Sequence, residues 1–404
     1  MHHFDIILAG GGLSGLTLAI ELGKRDFFQN KSILIIERDA KQQNDRTWCF
    51  WATEAEDLPP VLFRSWDHCL FYGAQGEKRL KMPPFRYHMV RGIDFYNWAA
   101  AEIAQFPNIQ RIQAEILNLE EKGAVHTDQG VFTAEWVFNS AITPTELVPK
   151  ASALYPKPAF SIPNAPQEKT KAHTWFLQHF KGWIIETPLP RFDTNTATLM
   201  DFRIDQKGDT RFVYVLPFSE TKALVEYTVF SPALCTAAEY QAELQHYVQH
   251  FLKIDEFNVV EEEFGVIPMT DFGFSPAQQG KIIHIGTAGG FVKGSSGYAF
   301  KRTRRKLQQF TEAWARTGTP NMRLLRSSYR FRLYDSIMLR VLRDQLYPGK
   351  AFFSKLFYKR PAPIIFRFLD EDSTFTEDLR VIASPPPLPF LRALWRQLPF
   401  LKTL

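Results

Sequence analysis

Gly10, Gly12 and Gly15 form G-x-G-x-x-G within FDIILAGGGLSGLTLAIELGKR, and Glu37 closes the apolar run SILIIE that follows. Glycines so placed permit a tight turn, close approach of backbone to a pyrophosphate, and close helix–strand packing. Amides at the start of the next helix can hold the diphosphate. An acid ending the second strand can accept from an adenosine ribose hydroxyl. Strand, turn, helix, second strand and acid together indicate dinucleotide binding; the bland alternative is a glycine-rich turn in another α/β protein.

A second kind of chemistry is suggested by KALVEYTVF. Strand alternation puts Leu224, Glu226, Thr228 and Phe230 on one face and Val225, Tyr227 and Val229 on the other. Both faces are largely apolar, so Glu226 is expected against an interior or an apolar cavity. Desolvation there disfavours the carboxylate and leaves a proton donor near neutral pH. The alternatives are a glutamate paired with an arginine or exposed at a sheet edge. TLMDFR puts Asp201 and Arg203 on one strand face, either as part of a site or as a structural salt bridge. NDRTWCFW joins Asp45 and Arg46 to Trp48, Phe50 and Trp51, whose ring faces could stabilise positive charge. The plain reading of that segment is a packed loop beside a cofactor.

These residues need a scaffold of two or three domains, which 404 residues with 45% apolar content can build. Residues 1–40 read as the first βαβ unit. From about residue 85 to 270 the pattern is mostly strand-like, interrupted by the helical AAEYQAELQHYVQHFL. KIIHIGTAGG then enters a second glycine turn and a second helix, as gripping the far half of a large cofactor requires. The last 90 or so residues read as helices broken at Pro320, Pro348, Pro361 and the run PPP.

Cys49, Cys69 and Cys235 share no metal spacing and leave one unpaired, which favours a reduced intracellular setting and no metal. No signal peptide and no spanning segment are expected. Between Lys301 and Arg343 twelve Lys or Arg face two acids, Glu312 and Asp335. Bulky apolar residues alternate with bases after Lys350. That combination suits an anionic bilayer surface or, more simply, solvated helix faces over ordinary core. No nucleic-acid motif is present, so nucleic acid is not expected as a partner.

The paired glycine elements resemble the two-domain flavoprotein monooxygenases and reductases, which implies FAD. More specifically, the FAD fingerprint, NDRTWCFW, YHMVRGIDFY, LQHFKGW, LMDFR, LVEYT, EEFGVIPM, GTAGGFVKGSSGYAF and FRFLDEDS together resemble the bacterial lycopene β-cyclases, in that family's order and over most of the chain. The resemblance implies an α/β (α+β overall) fold with a Rossmann-like FAD-binding domain at 1–84 plus 271–310. A mostly antiparallel β substrate domain would follow at 85–270, and a helical membrane-facing region at 311–404.

It also implies FAD active in its reduced form, NAD(P)H as indirect electron donor, and lycopene as substrate. The expected setting is the cytoplasmic face of a membrane, with other carotenoid-pathway enzymes as potential partners. Glu226 matches the acid of the family's F-L-E-E-T-type motif, while Tyr227 replaces its second acid. That departure concentrates the chemistry on Glu226. Asp201 and Arg203 match an M-D-[FWY]-R element and are further catalytic candidates. Candidate cofactor contacts are Gly10, Gly12, Gly15, Glu37, Arg46, Gly286, Ala288, Gly289 and Gly297; candidate substrate contacts are Trp48, Phe50, Trp51 and Tyr227. Thr287 stands where many FAD monooxygenases carry a ribityl-binding aspartate, an acid that cyclases tend to lack. A carotenoid or isoprenoid monooxygenase or reductase is the competing expectation, and a non-catalytic pigment- or flavin-binding protein a third.

Overall fold

The computed structural model describes residues 2–56, 58–141, 173–272 and 278–403. One sheet carries the glycine fingerprint. Its parallel strands run in the order Ile282–His284, Gly130–Asn139, His2–Ala9, Ile33–Glu37 and Ile109–Gln113. Parallel strands are buried on both faces, which is why ILIIE is continuously apolar rather than alternating. One face packs against the helices Leu13–Gly23 and Phe300–Thr317 through Leu16, Ile20, Leu307, Phe310 and Trp314. Ile7, Ile36, Val125 and Val137 fill a separate core on the other face.

The second sheet has seven strands, ordered Asn258–Thr270, Trp175–Glu186, Lys222–Ser231, Thr210–Pro217, Thr196–Asp201, His68–Gly73 and Gly76–Leu80. All its pairings are antiparallel except that of Thr196–Asp201 with His68–Gly73. Alternation sorts its residues into two cores. Val225, Tyr227 and Val229 pack with Tyr240, Leu244 and Tyr247 of the Ala237–Phe251 helical segment. Leu224 and Phe230 face the opposite way, into a core shared with the three-stranded sheet Thr47–Thr53, Phe85–Arg91 and Arg64–Trp66 and with the C-terminal helices. Phe357 stacks on Phe71 at 4.6 Å, and Phe366 on Trp51 at 4.5 Å.

Ion pairs fasten those helices to the second glycine element. The three consecutive acids of FRFLDEDS meet three bases of one helix: Asp370 with Lys301 at 2.7 Å, Glu371 with Arg302 at 2.8 Å, and Asp372 with Arg305. Lys293, fully buried, bonds Asp335 at 2.8 Å. Much of the basic run read from the sequence as a bilayer-facing charge is therefore spent on internal pairing.

The domain division drawn from the sequence needs correction. Residues 109–139 belong to the dinucleotide sheet, and residues 68–80 to the seven-stranded sheet, so the chain crosses between the two repeatedly. A strand pattern reveals a strand without revealing its partner. Residues 142–172, within the expected substrate domain, lie outside the described residues. Cys49, Cys69 and Cys235 are free thiols.

Trp51 is 1% exposed, stacked on Phe366, and donates its Nε1–H to Asp370 at 2.9 Å. Trp51→Ala is expected to destabilise the fold by about 3–5 kcal/mol through cavity formation. Denaturant unfolding would measure it; a loss below about 1 kcal/mol would contradict this packing role.

Candidate active site

A cavity of about 600 Å³ joins the two large sheets and the three-stranded sheet. At one end it is walled by Gly10, Gly12, Glu37, Arg46, Gly286 and Thr287, and at the other by Tyr87, Tyr214, Leu224, Glu226, Glu263 and Tyr298.

The first end has the form of a dinucleotide cradle. Gly10 sits at φ +110°, a conformation side chains avoid, and a methyl group on Gly15 would strike the Gly10 carbonyl oxygen. The helix Leu13–Gly23 starts at Gly12 with no acid in its first turn, so its amide end is open to an anion. Glu37 borders the cavity and accepts the Gly11 amide at 2.6 Å and the Asp39 amide at 3.0 Å. Gly286, at φ +62°, approaches Ser14 closely, bringing the second glycine turn against the first helix. Arg46 pairs with Asp45 at 3.0 Å. Gly297 borders the cavity, and a methyl group there would strike Gln178. Ala288 and Gly289 do not reach the wall; Gly289 packs on the His284 carbonyl and shapes the turn. This set of residues fits FAD.

At the other end a row of residues crosses the sheet. Glu263 pairs with Gly182, Gly182 with Glu226, and Glu226 with Tyr214. Thr228 donates to Glu226 Oε1 at 3.0 Å, and Thr47 to Glu263 Oε2 at 2.8 Å. Burial, then the Glu263 carboxyl beside it, pushes Glu226 well above the ordinary carboxylate range. Burial also raises Glu263, against hydrogen bonds from Glu226 and Thr47. Cys49, Tyr87 and Tyr214 are likewise pushed up by burial and stay neutral. The arrangement can keep a protonated, half-buried carboxyl on a cavity wall shared with Tyr87, Tyr214 and Tyr298.

Other expected site residues sit elsewhere. Asp201 and Arg203 are off the cavity: Arg203 bonds Asp201 and lies over the Tyr72 ring at 4.0 Å, while Tyr247 donates to Asp201 at 2.7 Å. Their MDFR spacing builds a structural pair. Trp48 borders the cavity, but Phe50 stacks on Phe300 and Trp51 on Phe366, both away from the wall. Tyr227 points to the opposite sheet face and accepts from Arg211 at 2.9 Å. The residue following Glu226 could not have paired with it, because strand neighbours face apart. The second carboxyl is Glu263, two strands away. In the sequence it lies in the run EEE that opens the strand-like EEEFGVIPM, where nothing singles out one acid of the three.

The fold is that of the flavoprotein monooxygenase type. A geranylgeranyl bacteriochlorophyll reductase-like protein from Thermoplasma acidophilum superposes with TM-score 0.65 over 97% of this chain and 98% of its own, at 12% identity. A flavin-dependent brominase does so with TM-score 0.57 at 17% identity, over 97% and 98%. The sequence narrows this further: residues 5–395 match the family model described as lycopene cyclase protein, and the chain belongs to that family. It is 23% identical to a lycopene beta-cyclase from Pantoea ananas over 97% of both chains. It is also 23% identical to one from Paracoccus sp. (strain N81106 / MBIC 01143) over 96% of both.

Gly12→Val, whose side chain would meet no protein atom within 4 Å at its Cβ but would enter the cradle, is expected to abolish FAD retention while leaving the chain folded. Flavin absorbance of the purified variant checks this, with circular dichroism as the fold control; stoichiometric flavin in that variant would contradict the cradle.

Proposed function

We propose that this protein closes the linear ends of lycopene into β-ionone rings, giving β-carotene through γ-carotene, as an intramolecular lyase with no net redox change. The observation that carries this reading is Glu226, a half-buried carboxyl pushed well above the ordinary carboxylate range on the wall of the cavity that also holds the glycine cradle. The family membership supplies the substrate class.

Ring closure needs a proton on C2 of an unactivated alkene. The tertiary cation formed at C1 is attacked by the C5–C6 double bond, the charge moves to C5, and loss of the C6 proton gives the β-ring. Glu226 is the proton donor: held neutral by burial, it faces an alkene with no water to compete for the proton. Tyr214, Tyr298 and Trp48 line the cavity, and their rings stabilise the passing cation. Exclusion of water protects both cations from capture. FAD, bound reduced and recharged indirectly by NAD(P)H, would supply a negative charge or a second proton source beside the cation.

Lycopene is a bilayer solute, and two C-terminal helices offer a docking face. Phe375, Leu379 and Ile382 lie exposed along one helix, and Leu388, Leu391 and Trp395 along another, with Trp395 76% exposed. Arg380 and Arg392 accompany them. No helix among the described residues is long and apolar enough to cross a membrane. Peripheral binding at the cytoplasmic face completes the proposal.

The fold shared with a reductase-like protein keeps one competing reading, an FAD-dependent isoprenoid or carotenoid reductase or monooxygenase. Expression in a lycopene-accumulating bacterium separates the two. Cyclisation turns red pigment orange with no change of mass; a product heavier by oxygen or hydrogen would select the rival. Glu226→Gln is expected to lower cyclisation at least about 100-fold with flavin still bound. Because the active form is protonated, activity should fall as pH rises through the raised Glu226 pKa. Normal turnover in Glu226→Gln would remove this residue from the mechanism.

Replacing Leu388, Leu391 and Trp395 together by Ser is expected to release the protein from sedimenting anionic vesicles. Undiminished sedimentation would contradict the assigned face.

A further inference from the structure

Strands Lys222–Ser231 and Asn258–Thr270 are not neighbours; Trp175–Glu186 runs between them. Residues two strands apart lie roughly 10 Å from each other between backbones, and an intervening side chain would normally separate them. Here the intervening residue is Gly182, paired with Glu226 on one side and Glu263 on the other. A methyl group at Gly182 would stand 2.8 Å from Glu263 Cγ and 2.9 Å from Leu224 Cδ1. The Glu263 side chain thus occupies the space that any other residue at 182 would fill. Its Oε2 takes the Thr47 hydroxyl, whereas its buried Oε1 receives no N–H or hydroxyl hydrogen bond among the described residues. The Glu226 carboxyl, on the same face of the sheet, lies within hydrogen-bonding reach of the Glu263 carboxyl.

We propose that Glu226 and Glu263 form a carboxylic acid–carboxylate pair sharing one proton across the gap left by Gly182, with Glu263 the positioning residue that holds the proton on Glu226. Its role in turnover rests on the cyclisation reading above; the pair itself does not. The other titratable groups around it are Cys49 and Tyr87 from the three-stranded sheet, Tyr214 from the next strand, Tyr298 from the second glycine turn, and Glu261 on the Glu263 strand. The thiol and phenols are neutral, and none of these groups is a cation that would let both carboxyls ionise. With no cation beside them, two carboxylates in one desolvated site do not both ionise, so one proton stays.

In turnover the Glu226 O–H bond breaks and its electron pair remains on oxygen, while the alkene π pair forms the new C2–H bond. The pair is then doubly anionic and faces the cation. The C6–H bond breaks last, its electrons form the ring double bond, and that proton returns to the carboxylates. No oxidant or reductant enters the balance.

The pair is tested on the flavoprotein without substrate by infrared pH titration, with the Glu226→Gln spectrum subtracted to isolate the Glu226 carboxyl band. In the parent protein a protonated carboxyl should persist at neutral pH. In Glu263→Gln the midpoint should fall by at least about one pH unit, a tenfold weaker hold on the proton. Gly182→Ala, which keeps both acids but crowds them apart, should produce the same fall. Bound flavin and an unfolding curve report the fold of each variant. A midpoint unchanged in either folded variant overturns the pair. Failure to cyclise lycopene leaves this titration standing, so the two readings fail separately.

Discussion

A carboxyl group largely withdrawn from water keeps its proton, and packing on both faces of its strand leaves Glu226 half-buried on the cavity wall. Its strand carries apolar residues on both faces, buried on one side by the Ala237–Phe251 segment and on the other by the three-stranded sheet and C-terminal helices. The same dryness serves two purposes. In the cyclisation proposed above it would hold the acid neutral until an alkene is present and deny water to a carbocation afterwards. A fold built to present a dinucleotide to a substrate cavity needs few changes for this task, chiefly the aromatic lining and the paired carboxyls.

Closure of the cavity depends on elements far apart in sequence. Tyr298 belongs to the second glycine turn, and that turn continues into the helix whose Lys301, Arg302 and Arg305 grip Asp370, Glu371 and Asp372. Lys293, within the turn itself, is tied to Asp335. Breaking one member of such a buried pair leaves an uncompensated charge, typically costing about 3–5 kcal/mol. The C-terminal acids thereby set the position of a turn that borders both the cradle and the acid end of the cavity.

Local features were legible in the sequence: the βαβ fingerprint, the second strand–glycine–helix element, the helical segment near residue 240, and the two apolar faces flanking Glu226. Each depends on residues close together along the chain. What escaped depends on pairing across the sheet. Residues 109–139 look like strands of any sheet until Gly130–Asn139 pairs with His2–Ala9. Glu263 is one acid of three until Gly182 is seen between it and Glu226. Asp201 and Arg203 stood out as chemistry-bearing residues, yet i, i+2 spacing on a strand serves a structural salt bridge equally well. Phe50 and Trp51 share a segment with Trp48 but face other cores, a distinction that only the packing of the three-stranded sheet makes.

In the proposed chemistry a flavoprotein fold delivers a proton and takes one back. It is tested most directly by turnover of lycopene in deuterated water, with mass and deuterium position read in the product and NAD(P)H followed in parallel. Once the carboxyls have exchanged with solvent, one deuterium is expected at C2 for each ring closed, with no NAD(P)H consumed in proportion to product. A first turnover by fully exchanged enzyme that leaves no deuterium at C2, or a product gaining oxygen or hydrogen against stoichiometric NAD(P)H, would contradict it.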